Sequence, residues 1–310
     1  MKTMSIRVVF LGTAGSIPTP KRSLPAVLIK RQNEHLMFDA GEGVQKQMII
    51  AKTGFNKNMK VFITHMHGDH VLGLPGLMQT MALLDRKKPL HIYGPPGITQ
   101  FLENIRETVQ FVLTYPVEIH EIEKTGSVCS EEEYEVRAEK SNHSIAGLVY
   151  ALIEKPRPGR FYAEKAKALN IAEGILWSKL QKGEKIKLPN GRIVRPEEVM
   201  GSSRQGRKIV YTGDTRPFEN LVKLAIGADL LIHDATLGDD LEERAKEDGH
   251  STPSQAAKTA KRAKVKKLVL THISARYSDS TALLNQAKKT FKNTVVAEDF
   301  MEIEIPLLEE

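Results

Sequence analysis

Residues 60–73 read KVFITHMHGDHVLG. An apolar, strand-like run ends at Thr64, and His65, His67, Asp69 and His70 then follow within six residues. Imidazole nitrogens and a carboxylate gathered in a tight turn at a strand end suit zinc or another borderline divalent ion. Gly68 is expected to let that turn fold around the ion. A lone histidine here would read as structural, but four ligand-type side chains in so short a stretch read as a metal centre.

Three more apolar runs end on the same residue types. His143 follows the run 134–140, Asp214 follows 208–211, and His272 follows 267–270. Each of them alone could be a helix cap or a satisfied loop residue. Together with the first cluster they make seven ligands, the number that two ions sharing one carboxylate require. Asp214 is the expected bridge, since a carboxylate offers two oxygens and an imidazole one lone pair.

The rest of the chain supplies a frame for these turns. Short apolar runs recur from 6–11 to 148–153, lapse, and resume from 208–212 to 302–305, with helical periodicity at 44–51, 76–84, 97–109, 218–226, 254–263 and 280–291. This pattern predicts two sheets covered by helices rather than a doubly wound sheet. No internal repeat is visible. Residues 155–201 interrupt the rhythm. They open on Pro156 and Pro158, hold a short helical piece at 163–169, and close with a predicted hairpin at 186–194 turning on Asn190-Gly191. Their apolar content reads as too low for a separate core, so the segment is expected to be a protruding arm inserted in one 1–310 domain.

Composition narrows the class. Of 310 residues, 41% are hydrophobic, enough for one large core, and no apolar run approaches the roughly 18 residues of a membrane-spanning helix. The opening MKTMSIRVVFLG lacks a signal-peptide pattern, and the one cysteine, Cys129, permits no internal disulfide, so a reducing cytoplasm is expected. The net charge is +7, and between Lys155 and Met200 eleven Lys/Arg face five Glu. Nearly all the excess therefore lies in the inserted segment, which points to a polyanionic partner.

The ligand pattern, with the stretch FDAGEG at 38–43, resembles the metallo-β-lactamase superfamily over essentially the whole chain. The resemblance implies an αββα four-layer sandwich with a dinuclear site, and Asp39 orienting a ligand rather than binding metal. Within the superfamily, three features are similar to the ribonuclease Z family. His233-Asp234-Ala235-Thr236 precedes Gly249-His250-Ser251-Thr252, Ser274-Ala275-Arg276-Tyr277 follows the last ligand, and a basic arm is inserted. The family normally has Glu at the position of Asp234, and Asn at that of Ser23 in the loop carrying Lys21 and Arg22.

This resemblance implies a cytoplasmic endonuclease that removes 3′ trailers from tRNA precursors, leaving a 3′-hydroxyl on the tRNA and a 5′-phosphate on the trailer. It implies two Zn2+ per subunit, with Mn2+ or another divalent ion as the variant, and a homodimer. Asp69 would accept the proton of the attacking water, and His250, oriented by Asp234, would protonate the leaving ribose oxygen. Arg276, Lys21 and Arg22, and on the arm Lys155, Arg157 and Arg160, would contact RNA. Two rival classes remain at this point: a small-substrate metallo-hydrolase, arylsulfatase-like or acting on cyclic nucleotides, has no use for the arm, and a non-catalytic RNA-binding module has no use for seven ligands.

Overall fold

The computed structural model describes residues 5–307, so the first four residues of the N-terminal stretch lie outside it. The chain divides into a larger unit of Met1–Glu131, Glu135–Leu152 and Lys208–Glu310 and a smaller one of Glu132–Tyr134 and Ile153–Arg207.

The larger unit is built on two seven-stranded sheets. In the first, the strands run in the order Glu302–Ile305, Ile6–Gly12, Ala26–Arg31, Glu34–Phe38, Asn58–Phe62, Leu90–Gly94 and Val117–Glu121. In the second, the order is Thr294–Val296, Leu268–Thr271, Leu230–Asp234, Lys208–Tyr211, Leu148–Glu154, Tyr134–Lys140 and Gly126–Ser130. Neighbours such as Asn58–Phe62 and Leu90–Gly94 pair parallel, as do Lys208–Tyr211 and Leu230–Asp234.

Both faces of the central strands are apolar, because both are covered. In Ile6–Gly12, Val9 and Leu11 turn outward to a core that includes Met48, Leu74, Leu77 and Met81 from helices Val44–Ile50 and Gly73–Leu83. Phe38 and Phe62 turn inward and meet Tyr150 of the second sheet, with ring centroids 6.0 and 5.5 Å away. The Tyr150 hydroxyl donates to the carbonyl of Ile63 at 2.8 Å, so this contact between sheets is both packed and hydrogen-bonded. Helices Pro253–Arg262, Glu219–Ala225 and Thr281–Lys288 accompany the second sheet. The result is the layered order helix, sheet, sheet, helix that the periodicity predicts.

The smaller unit differs from its reading as a coreless arm. Ala166, Ile171, Leu180, Ile186, Leu188, Val194 and Val199 form a buried cluster, with Phe161 and Trp177 packed against it. The cluster escapes a periodicity argument because it draws one or two residues from each of several short elements, including helices Ala163–Ala168 and Ile175–Gln181. The hairpin is as expected: Ile186–Lys187 pairs antiparallel with Ile193–Val194, and Gly191 takes φ +83° in the turn. The unit closes on itself wider than 155–201. Arg207 donates from Nε and Nη2 to the two oxygens of Glu154 at 2.7 and 2.8 Å, and Arg157 and Arg204 form a backbone bridge.

Candidate active site

Several strands of the two sheets end in loops that gather on one edge of the larger unit. Asp39 follows Glu34–Phe38, His65 follows Asn58–Phe62, His143 follows Tyr134–Lys140, Asp214 follows Lys208–Tyr211, and His272 follows Leu268–Thr271. Ligands in open α/β sheets gather at this edge for the same reason. The turn expected at Gly68 is instead one turn of helix, Gly68–Val71, continued by Gly73–Leu83. Asp69 and His70 therefore hang from a helical turn while His67 precedes it in extended backbone. The close approach that needs glycine lies elsewhere. A Cβ on Gly73 would come within 1.9 Å of the Gly41 carbonyl oxygen, so glycine at 73 lets the 39–43 loop lie against the ligand helix.

All seven residues singled out by the sequence converge, in two groups. His65, His67, His143 and Asp214 form one, and Asp69, His70 and His272 the other. In the first, His65 Nε2 and His67 Nδ1 are 3.0 Å apart, and His143 Nε2 lies 3.2 Å from His67 Nδ1. In the second, Asp69 Oδ2 lies 3.5 Å from His70 Nε2 and 3.4 Å from His272 Nε2. Asp214 faces both. Its Oδ2 is 3.7 Å from His65 Nε2 and 3.4 Å from His70 Nε2, and its Oδ1 is 3.3 Å from His272 Nε2. Four donors at zinc bond lengths of about 2.0–2.1 Å stand about 3.3 Å apart in a tetrahedron, so these separations suit a metal-ligand shell.

Two further observations test that fit. Asp214 Oδ1 is buried without a hydrogen-bond partner, a costly state unless a cation completes it. The remote nitrogens of the histidines are also held. His70 Nδ1 faces Asp39 Oδ2 at 2.7 Å, His143 Nδ1 the Gly249 carbonyl at 2.8 Å, His272 Nδ1 the Thr236 hydroxyl at 2.7 Å, and His65 Nδ1 the Thr64 hydroxyl at 3.0 Å. Such bonds fix ring orientation and leave the other nitrogen free to ligate. The fold and this clustered donor set make a divalent metal site.

The supporting residues were only partly legible in the sequence. Asp39 is fully buried and also accepts from Thr64 N at 2.7 Å and the Tyr211 hydroxyl at 2.9 Å. Asp39 and His272 both hold positive φ, +57° and +60°, a strained backbone of the kind that surrounding structure sustains at functional sites. Thr64 and Tyr211 go unmarked in the sequence, and Thr236 stands in the 233–236 segment without an assigned role. Thr64 stands beside a ligand in the sequence and could have been suspected. Tyr211 carries no such signal, because its role depends on which face of its strand meets Asp39. Ser16 was missed as well: its backbone N–H donates to Asp69 Oδ2 at 3.0 Å.

Electrostatics divides the histidines by their neighbours. Burial pushes His65 down to about 2, and nearby His70 adds to the effect. Burial also opposes charge on His70, but Asp214 and Asp39 outweigh it and hold the group well above its ordinary value. His250 behaves likewise. Against burial, Asp234 and then Asp214 raise it to about 9. His250 Nδ1 lies 3.0 Å from Asp234 Oδ2, and Asp234 is itself fixed by the Thr236 hydroxyl and backbone N–H at 2.6 and 2.9 Å.

His250 lines a cavity of about 270 Å³ together with Ser16, Thr236, Arg244, Ser274 and Arg276. Lys21 and Arg22 line a groove of about 920 Å³ with Ala275 and Tyr277, and Ala275 borders both spaces. Arg22 is engaged within the fold, its Nη1 donating to the Thr13 hydroxyl at 2.7 Å and the Ala297 carbonyl at 2.5 Å. Lys155, Arg157 and Arg160 belong to the smaller unit, where Lys155 and Arg160 are exposed and Arg157 is half-buried. Among the described residues, no helix is long and apolar enough to cross a membrane.

Comparison with known proteins identifies the family and the fold. The family model described as Anti-Pycsar protein Apyc1 matches residues 6–153, and that described as a beta-lactamase superfamily domain matches residues 182–273. The ribonuclease Z of Methanosarcina acetivorans is 52% identical over 303 residues, covering 97% of this chain and 98% of that protein. That of Haloferax volcanii is 45% identical over 305 residues, covering 98% and 96%. Among solved structures, human tRNase Z, short form, matches with TM-score 0.72 and 31% identity over 97% of this chain and 99% of its own. A metallo-beta-lactamase fold protein from Bacillus subtilis, 17% identical with TM-score 0.69 over 97% and 99%, shares the fold. At these identities and coverages, the chain belongs to the ribonuclease Z family, and its sandwich is the metallo-β-lactamase fold.

Proposed function

We propose that the chain is the endoribonuclease its family implies, hydrolysing tRNA precursors just after the discriminator nucleotide to leave a 3′-hydroxyl on the tRNA and a 5′-phosphate on the trailer. The observation that carries the reading is one edge of the fold bearing a seven-donor cluster shared through Asp214, beside an aspartate-held histidine that borders an arginine-lined cavity. In this reading His65, His67, His143 and Asp214 hold one Zn2+, and Asp69, His70, His272 and Asp214 the other, with Mn2+ or another divalent ion as the substitute. When bound, such ions lower the pKa of water toward neutrality and screen charge on the phosphoryl oxygens.

The chain's own residues do the rest. Asp69, oriented by the Ser16 N–H, accepts the proton of the attacking water. His250 carries the proton that the leaving ribose oxygen needs, and Asp234 keeps both its charge and its direction. Arg276 borders the same cavity and pairs with a phosphate there. Lys21 guides the RNA strand along the adjoining groove, and Arg22, anchored on Thr13 and Ala297, adds its charge to the groove wall.

The 155–201 segment grips the tRNA body through Lys155, Arg157, Arg160 and their basic neighbours, reading phosphates and shape rather than bases. We place the enzyme in the cytoplasm and as a homodimer. Ile49, Ile50, Leu83 and Val109, exposed on helices Val44–Ile50, Gly73–Leu83 and Ile98–Val109, supply apolar surface of the kind a partner subunit covers. The test is turnover of a structured tRNA precursor alongside a small chromogenic phosphodiester. Specific cleavage of the precursor at its 3′ side supports the reading, and turnover of the small substrate alone overturns it in favour of a small-substrate hydrolase.

A further inference from the structure

A second cluster of ligand-type residues lies at the far edge of the first sheet. The edge strand Val117–Glu121 pairs parallel with Leu90–Gly94, setting His91 opposite Glu118 and Tyr93 opposite His120. Leu90 and Ile92 belong to the core under the helices. With a period of two, His91, Tyr93, Glu118 and His120 therefore share the opposite face. That face holds a histidine pair and a carboxylate where an edge strand would otherwise be expected to carry ordinary solvating charge.

The three groups are already close. His91 Nδ1 lies 3.3 Å from Glu118 Oε2, near the spacing of two ligands in one tetrahedral shell. One donor atom from each of His91, Glu118 and His120 lies within 4.8 Å of the other two. The rings of His91 and His120 stack at 6.0 Å and 18°, and Tyr93 stacks on His120 at 4.4 Å and 15°, which holds the second imidazole in place. His120 Nε2 is buried without a hydrogen-bond partner. Burial, reinforced by His91, keeps His120 below its ordinary pKa and so in the neutral form that can ligate. The side chains of His91 and Glu118 remain 30% and 51% exposed, so they can close the remaining separation and leave a position open to water.

We propose that His91, Glu118 and His120 bind a borderline divalent ion of the zinc class, separate from the Asp214 centre, and that this ion ties the edge strand to its neighbour. Two imidazoles and one carboxylate are a donor set that such ions take readily, with water completing the shell. An ion bound to the folded chain alone stabilises it by mass action.

The full-length protein, freed of excess metal, is titrated with Zn2+ alone while bound equivalents are counted and precursor cleavage and Tm are followed. The expected result is one equivalent more in the wild type than in the double variant His91→Ala/His120→Ala, with equal cleavage activity. A Tm rise on filling that last equivalent is expected in the wild type only. Glu118→Gln, which keeps size and stacking, serves if the double variant fails to fold, and should weaken the last equivalent by about tenfold or more. Equal stoichiometry in wild type and variants overturns the proposal, as does a last equivalent that binds only at millimolar Zn2+. Loss of cleavage activity together with the ion also overturns it, since the metal would then belong to the catalytic centre.

Discussion

In the larger unit the candidate ligands sit at the ends of strands whose apolar residues are almost wholly buried, and His65, His70, Asp214 and His272 are buried with them. In the 153–207 unit the basic side chains stand on short helices and a two-residue-strand hairpin over a core of seven small or medium residues, with Lys155, Arg160 and Lys167 exposed. The contrast follows from what the proposed role of each region requires. Donor atoms for an ion must be kept within tenths of an ångström, which takes packed strands, oriented rings and strained turns at Asp39 and His272. Attraction to phosphates depends on charge density and tolerates mobile side chains. A small core is enough to present it.

Four experiments probe this division, taken in order of decreasing effect. Asp214→Ala removes the group that faces both donor sets. Metal bound at the strand-end cluster should be lost and precursor cleavage should fall by about 10³-fold or more, with circular dichroism unchanged, because the sheets pack without Asp214. Wild-type metal content and normal cleavage in this variant would show that the two groups do not share a carboxylate.

His250→Ala should lower the rate by about 10²-fold or more while metal analysis stays at the wild-type value. Its ring reaches Asp234 at 3.0 Å and Asp214 only at 3.8 Å. Loss of metal in this variant would move His250 into the ligand set.

The third experiment separates the two regions. A Cβ on Gly159 would lie 2.0 Å from the Gly201 carbonyl oxygen, so the chain passes itself there, and residues 160–200 can be excised by joining the two glycines. Hydrolysis of a small chromogenic phosphodiester should survive nearly intact. KM for the precursor should rise by about tenfold or more, and the salt dependence of binding should flatten, since each lost phosphate contact on a duplex removes a slope of about 0.9. If both activities fall together, the smaller unit is required for the site itself.

The smallest effect is expected from Trp177→Phe. Trp177 is the chain's one tryptophan; its indole N–H donates to the Ile171 carbonyl at 3.0 Å and its ring packs on Phe161 at 5.1 Å. Its fluorescence therefore reports the 153–207 unit alone. In the wild type that signal should melt at a lower temperature than circular dichroism of the sheets, since the small core buries little apolar surface. The variant should lower proteolytic resistance of the unit and leave small-substrate turnover unchanged. Coincident melting by both probes would show one cooperative structure.

The seven ligand candidates, the two-sheet architecture and the Asn190-Gly191 hairpin could be read from the sequence because each rests on local chemistry: residue type at a strand end, period two, turn residues. Helix Glu242–Asp248 could not, since it is polar all round and buries only Ala245. Strand Gly126–Ser130 lacks alternation and joins its neighbour through a bulge between Ser127 and Cys129. The core of the smaller unit was hidden because its residues are scattered over short elements. The pairings come from long-range packing: Tyr211 on Asp39, Ser16 on Asp69, Gly73 beneath Gly41, Arg207 on Glu154. Those contacts join residues far apart in the chain, and which of them meet depends on how strands align and which faces turn inward. Local sequence specifies the donors; packing of distant strands sets the distances between them.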